Sequence, residues 1–250
     1  MKIVVTVPTY CEIENIEALV AAILEQDPRI EVLVADDDSP DGTWKKVAEL
    51  AAADSRVHLL HRTTDRGRGR AGAAAYAWAL AHGADLAFEM DADFSHHPRY
   101  LPAMIAALER DAPRADLVLG SRQVPGGEDV GRPAWRVWLT AASNLYVRLV
   151  LGVSVRDCNS GFRGFRRSAL EAIDAGNAFS PGPAIVHELL YKSKRRGLAM
   201  TEIPIRFVER EQGTSTLTFK TLLRSYVTIL RLRWMGLTGR LFGARAEGRS

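Results

Sequence analysis

Short β-branched runs alternate along this chain with stretches of helical periodicity, and the early runs stop at polar or acidic clusters. Ile3 to Val7 ends at Pro8, a helical stretch follows from about Glu14 to Glu25, and Val32-Leu33-Val34-Ala35 then runs into Asp36-Asp37-Asp38. Strands this apolar, joined by helices, predict a parallel sheet covered on both faces. Ser39-Pro40-Asp41-Gly42 has turn chemistry, and Asp41 or Thr43 suits the cap of a helix reaching about Ala53. Val57 to Leu60, Leu86 to Met90 and Leu117 to Leu119 read as further strands, with helices over Ala71 to Ala81 and Pro102 to Arg110. In an open parallel sheet ligands bind beyond the carboxyl ends of the strands. Pro8 to Glu12, Asp36 to Asp38 and Asp91 to Asp93 are therefore expected to line one crevice.

The chain has 250 residues, 47% of them apolar, which suffices for a large soluble core. Its two cysteines, Cys11 and Cys158, lie far apart, and no basic-then-apolar leader precedes the first strand, so a reducing cytosol is the expected setting. No apolar run approaches the roughly 18 to 20 residues that cross a bilayer, so contact with a membrane would be peripheral. The overall charge of +3 conceals an asymmetry: residues 217–250 carry +6 and residues 1–216 carry −3. At helical spacing Lys220, Arg224 and Arg231 share one face of this tail, with Leu222, Tyr226, Ile229, Leu230 and Leu237 roughly opposite. Such a helix either lies on an anionic membrane or packs its apolar side on the body, and the two are compatible. The expected division is a catalytic domain over 1–216 and a basic amphipathic helical tail over 217–250.

Asp91-Ala92-Asp93 places two carboxylates one residue apart at a strand end. Hard cations such as Mg²⁺ and Mn²⁺ take oxygen ligands and bridge protein carboxylates to a substrate diphosphate, so the triplet points to departure of a phosphorylated leaving group. His96 and His97 precede Pro98 and suit a helix start better than a soft-metal site. Asp65-Arg66-Gly67-Arg68-Gly69-Arg70 lacks the Lys-Ser/Thr ending of a P-loop and reads as a basic loop. Aromatic residues do not interleave with it, which argues against nucleic acid as a partner.

Pro8-Thr9-Tyr10-Cys11-Glu12, Asp36 to Thr43, Asp91-Ala92-Asp93-Phe94-Ser95-His96, Gly120-Ser121-Arg122 and Ser160-Gly161-Phe162-Arg163 occur in this order. Together they resemble family 2 glycosyltransferases, and within them the dolichol (polyprenol) phosphate mannose synthases, over about residues 3 to 215. The resemblance implies an α/β fold of the GT-A nucleotide-sugar-binding type with a mainly parallel central sheet. It implies Pro8, Tyr10, Glu12, Ala35 and Asp37 around the nucleoside, and Asp91, Ala92, Asp93 and Ser95 at the sugar diphosphate. Asp93, with Asp91, would hold Mg²⁺ or Mn²⁺. Arg122, Arg136 and Thr140 match positions that contact the lipid phosphate, and Arg210 with Gly213-Thr214-Ser215 resembles a loop closing over the donor.

The implied reaction is inverting transfer of mannose from GDP-mannose to a polyprenyl phosphate, with Asp91, Asp93 and Arg122 as catalytic residues. The implied place is the cytoplasmic face of a membrane, reached peripherally or through a separate membrane-anchored partner. An anionic phosphate oxygen attacks without a general base, whereas a hydroxyl acceptor would need one, for which Glu188 is the candidate. The alternatives are a related transferase using another nucleotide sugar such as UDP-glucose, or a hydroxyl acceptor, and a non-catalytic nucleotide-sugar or polyanion-binding module. The chain departs from the family at Cys11, where Asn is usual, in its arginine-rich loop, and at Thr216, where Lys commonly neutralises the donor diphosphate. Either Lys220 or an arginine of the 66 to 70 loop compensates, or the donor or acceptor differs.

Overall fold

The computed structural model describes residues 1–180, 182–208 and 219–242, the last segment with side chains from Arg224 onward. Strand β1 (Ile3–Thr9) lies between β2 (Ile30–Asp36) and β4 (Leu86–Glu89), parallel to both, with β3 (Val57–His61) outside β2. Alternation along these strands sends Ile3, Val5 and Val7 to one face and Val4 to the other, and both faces are dry because helices cover each. On one side α1 (Ile16–Leu24), α2 (Thr43–Ala53) and α4 (Leu101–Glu109) supply Leu19, Ile23, Val47, Met104 and Leu108. On the other lie α3 (Arg68–Ala81), α5 (Ala134–Leu151), α6 (Arg167–Ala172), α7 (Ile185–Arg195) and α8 (Phe219–Leu237).

The seven-stranded sheet has the order β3-β2-β1-β4-β7-β5-β8, with β5 at Leu117–Ser121, β7 at Arg163–Arg166 and β8 at Met200–Pro204. Only β7 runs antiparallel to its neighbours, pairing Arg163 with Glu89 on one side and Leu119 on the other. An antiparallel insert enters the sheet where its neighbours leave it. The turn Ser160-Gly161-Phe162 that leads into β7 therefore sits at the carboxyl ends of β4 and β5. A separate pair, β6 (Glu128–Val130) and β9 (Arg206–Val208), lies beyond the end of β5.

Pro8 survives inside a central strand for a positional reason. Thr6 accepts a hydrogen bond from Met90 N, so Thr6 and Pro8 point toward β4, whose pairing with β1 has already ended at Glu89. The missing N–H of Pro8 thus faces the crevice rather than a ladder partner.

Helix α8 shares the core through Ile229, Leu232 and Met235. Its Gly236 lies against the Tyr191 ring of α7 so closely that any side chain there would collide. The apolar group expected from helical spacing is split by this packing: Ile229 is buried, whereas Leu230 and Leu237 are exposed. The reason is that α8 is seated by the 229/232/235/236 stripe, which rotates Leu230 and Leu237 outward. Among the described residues no helix is long and apolar enough to cross a membrane.

Candidate active site

The crevice begins at the turn after β2. Asp36 is wholly buried and accepts from Thr9 Oγ1 (2.8 Å), Ser39 N (2.8 Å) and Ser39 Oγ (2.7 Å), so the first acid of the triplet fixes the turn. Asp37 accepts from Gly67 N (2.6 Å) and pairs with Arg62, which ties the end of β2 to the head of α3. Asp38 adopts positive φ, and its carboxylate lies 2.9 Å from His61 Nε2, whose ring stacks on Trp44 at 4.3 Å. The loop after β1 is laced to this turn: Cys11 N donates to Ser39 Oγ, Glu12 N to Thr43 Oγ1 and Ile13 N to Asp41. Glu12 also accepts from Asn15 at the head of α1. Pro8 and Ala35 are register partners at the base of the crevice, and Tyr10 stands exposed on the rim of a shallow pocket shared with Ser39, Pro40, Trp44 and Arg66.

Past the end of β4, Asp93 Oδ1 accepts from Ser95 N (3.1 Å) and Ser95 Oγ (2.5 Å), which fixes its carboxylate. Asp91 Oδ1 accepts from Arg68 Nη2 at 3.2 Å, and its Oδ2 lies 3.5 Å from His96 Nδ1. A Cβ at Gly161 would stand 3.2 Å from Asp91 Oδ2, so the Ser-Gly-Phe turn lies tight against this carboxylate. Arg68 also reaches Glu89 at 2.7 Å; burial works against its charge, but Glu89 and Asp91 outweigh it and hold the guanidinium more firmly protonated than usual.

Helix α3 was expected to start at Ala71. It starts at Arg68, because Gly67 turns the chain onto Asp37 and Arg68 folds beneath the acidic pair. Among the described residues no group of three or more His, Cys, Asp or Glu forms a ready metal cage. Two carboxylates from one strand end fit a hard cation that takes its remaining oxygen ligands from a diphosphate and water.

The far side of the crevice is built on arginine. Arg122, just past β5, grips the wholly buried Asp157 with Nε (2.7 Å), Nη2 (2.8 Å) and its backbone N (3.1 Å). Burial pushes the Asp157 carboxyl up, and the hydrogen bonds and charge of Arg122 bring it below the ordinary carboxylate range. Arg122 is therefore a fixed charge rather than a swinging arm. Its guanidinium stands 4.9 Å from the Phe207 ring, and Arg132 approaches the same ring at 5.8 Å.

Arg132 donates to Asp129 (2.9 Å) and to Thr140 Oγ1 (3.2 Å). It joins the expected Thr140 to Arg122 through Phe207 and was not singled out from sequence, since only its place in Gly131-Arg132-Pro133 before α5 hinted at a role. Arg136, one turn before Thr140, has its guanidinium 5.4 Å from the Trp135 ring. Arg210, Gly213-Thr214-Ser215 and Thr216 lie outside the described residues, as does the side chain of Lys220.

Glu188 is wholly buried, accepts from Phe179 N (3.1 Å) and Ser180 N (2.9 Å), and pairs with Lys192 at 2.8 Å. Its neighbour His187 is driven down to about 3 by burial and by the charge of Arg163, so its ring is neutral. Both thiols are free, and burial pushes Cys158 up to about 12.

The chain matches the profile of glycosyl transferase family 2 over residues 4–174. It belongs to that family. This glycosyltransferase is 40% identical over 245 residues to the undecaprenyl-phosphate mannosyltransferase of Micrococcus luteus, covering 96% of this chain and 99% of that one. It is 38% identical over 245 residues to the polyprenol monophosphomannose synthase of Mycolicibacterium smegmatis, covering 98% and 90%. Its fold superposes with a TM-score of 0.62, at 22% identity, on glucosyl-3-phosphoglycerate synthase of Mycobacterium tuberculosis crystallised with Mn²⁺, UDP and glucosyl-3-phosphoglycerate, covering 99% of this chain and 82% of that one. The glycosyltransferase thus has the α/β GT-A fold with a mostly parallel sheet, as expected from its motifs.

Proposed function

We propose that this glycosyltransferase moves mannose from GDP-mannose to a polyprenyl phosphate, with inversion, at the cytoplasmic surface of a membrane. The observation that carries the reading is the commitment of Glu188 to Lys192 and two backbone amides, while Arg122 is held fixed on Asp157. A hydroxyl acceptor needs a base within reach, and the acid that sequence offered for that task is locked away. A phosphate monoester brings an oxygen that is already anionic. Relatives named as undecaprenyl-phosphate and polyprenol mannosyltransferases support the same acceptor.

In this reading Tyr10 and the Asp37 turn hold the nucleoside, and Asp93, fixed by Ser95, and Asp91, fixed by Arg68, would hold Mg²⁺ or Mn²⁺ at the diphosphate end. When bound, the ion withdraws charge from the departing nucleoside diphosphate, so no proton donor is required. Arg122 and Arg132, with Arg136 and Thr140, orient the acceptor phosphate for one in-line displacement. Asp157 and Phe207 keep the first two guanidiniums from moving as it docks.

Arg68 is the arginine that compensates for Thr216. Replacing it with Met is expected to weaken GDP binding by roughly tenfold or more, the worth of a charge-assisted hydrogen bond. Arg70→Met, which removes a part-exposed side chain paired with Asp65, should leave binding unchanged by calorimetry.

The functional test is a screen of GDP- and UDP-sugars against polyprenyl phosphate and against simple sugar hydroxyl acceptors. GDP-mannose with the lipid phosphate is expected to give the product, and turnover with a hydroxyl acceptor at comparable rate would refute the assignment.

A further inference from the structure

Glu89 is the last residue of β4, and only 2% of it is exposed at the floor of the crevice. A central strand covered on both faces ordinarily carries no acid in such a place. Side-chain alternation puts Glu89 on the same face as Ala87, which shares a core with Ala75 and Tyr76 of α3. Its register partner on β7 is Arg163, but that guanidinium is committed to the carbonyls of Ser160, Cys158 and Val186. The cation that answers Glu89 is therefore Arg68, whose Nη2 lies 2.7 Å from Glu89 Oε1. The same Nη2 reaches Asp91 Oδ1 at the longer distance of 3.2 Å.

Local preference does not put Arg68 where it stands. It is the first residue of α3, where a positive charge opposes the helix dipole, and no acid in that first turn offsets it. Nor is the cluster fully paired: Glu89 Oε2, Arg68 Nη1 and the hydroxyl of Tyr76 are buried without a hydrogen-bond partner among the described residues. Apolar side chains of the same volume commonly match or exceed the stability of a buried ion pair left partly unsatisfied. Stability alone therefore does not account for Glu89. Gly72 of α3 closes the space around it, since a Cβ there would stand 3.0 Å from Glu89 Oε2 and 3.5 Å from Arg68 Nη1.

We infer that Glu89 is a positioning residue of donor binding: it holds the Arg68 guanidinium beneath the diphosphate site and keeps it from closing fully onto Asp91. The inference rests on the donor site proposed above and adds what fixes its arginine. Two carboxylates share one nitrogen, and the buried one, with less water to screen it, takes the shorter contact. Without that charge the guanidinium swings onto Asp91 and pairs with an acid that the cation requires. The diphosphate then loses an oriented guanidinium, and the cation meets a carboxylate already neutralised.

The test is a double-mutant cycle on the full chain, read by calorimetry of GDP with Mn²⁺ present. Glu89→Gln keeps the shape of the side chain and removes its charge, and it should weaken GDP binding roughly fivefold, the scale of coupling between hydrogen-bonded neighbours. In the Arg68→Met background the same substitution should change the affinity by less than about twofold, because the group through which Glu89 acts is gone. Mn²⁺ affinity, read by electron paramagnetic resonance with GDP bound, should fall in Glu89→Gln as well. Should Glu89→Gln fail to fold, Gly72→Ala, which leaves every charge in place and crowds Glu89 Oε2, takes its place in the cycle with the same expectations. Equal losses in both backgrounds, the mark of a merely structural acid, overturn the inference. A loss in Arg68→Met with none in Glu89→Gln removes this inference alone, whereas Arg68→Met binding GDP as the wild type does removes it together with the donor-site reading. If the coupling holds while no mannose reaches polyprenyl phosphate, only the acceptor reading falls.

Discussion

Asp93→Ala is expected to reduce mannose transfer on the order of a hundred- to a thousand-fold, the range seen when one group that stabilises developing charge is removed. Its carboxylate is fixed by Ser95 N and Oγ, so the loss falls on the reaction rather than on the fold. Ser95→Ala, which removes one of the two fixing bonds, should give a smaller loss in the same direction. Comparing initial rates of lipid-linked mannose formation checks both, together with a melting curve that should change little for Asp93→Ala. A variant transferring at the wild-type rate would remove Asp93 from the chemistry.

The second large effect concerns Asp157 and is structural first. Asp157→Ala strands the Arg122 guanidinium in a buried site at a cost of about 3–5 kcal/mol, and the melting temperature should fall on the order of 10 °C for a domain of this size. The pH dependence has a definite sign. Arg122 holds the folded Asp157 carboxyl below its unfolded value against the upward pull of burial. The stabilisation is therefore complete above the unfolded carboxylate pKa of about 4 and is lost only as pH falls through the lower folded value. Melting at pH 7 and pH 5 should differ little on account of this pair. Arg122→Met with Asp157→Leu replaces the pair by apolar groups and is expected to recover most of the stability while transfer stays low, which separates the arginine's part in the site from its part in the fold.

The first 121 residues were legible because their strands are buried on both faces. Such strands must be uninterrupted runs like Ile3 to Val7 and Val32 to Ala35, and their ends carry the acids that the crevice collects. Beyond residue 121 the signals fail for particular reasons. β7 has the sequence Arg-Gly-Phe-Arg, too short and too charged to read as a strand, and it becomes one only because β4 and β5 both pair with it. Arg163 is wholly buried there, its charge met by carbonyls of Ser160, Cys158 and Val186, an environment that no local pattern announces.

Helices α5 and α8 are apolar on two sides, so periodicity alone misassigned Leu230 and Leu237 to the face that Ile229 buries. In the site, the sequence singled out Asp91 and Asp93 by their spacing and Asp37 and Arg122 by the family resemblance. Arg68, Asp157 and Phe207, which contact them, are brought there by the fold from 23 to 85 residues away in sequence and leave no local trace.

The central claim is that acids at the end of β4 work through a divalent cation on the leaving group of a sugar passing to a phosphate. The most direct measurement is transfer of labelled mannose from GDP-mannose to polyprenyl phosphate after exhaustive chelation, with metals then restored one at a time. Activity is predicted to vanish in chelator and to return with Mg²⁺ or Mn²⁺ in the wild type but not in Asp93→Ala. Full transfer in the presence of chelator would contradict it.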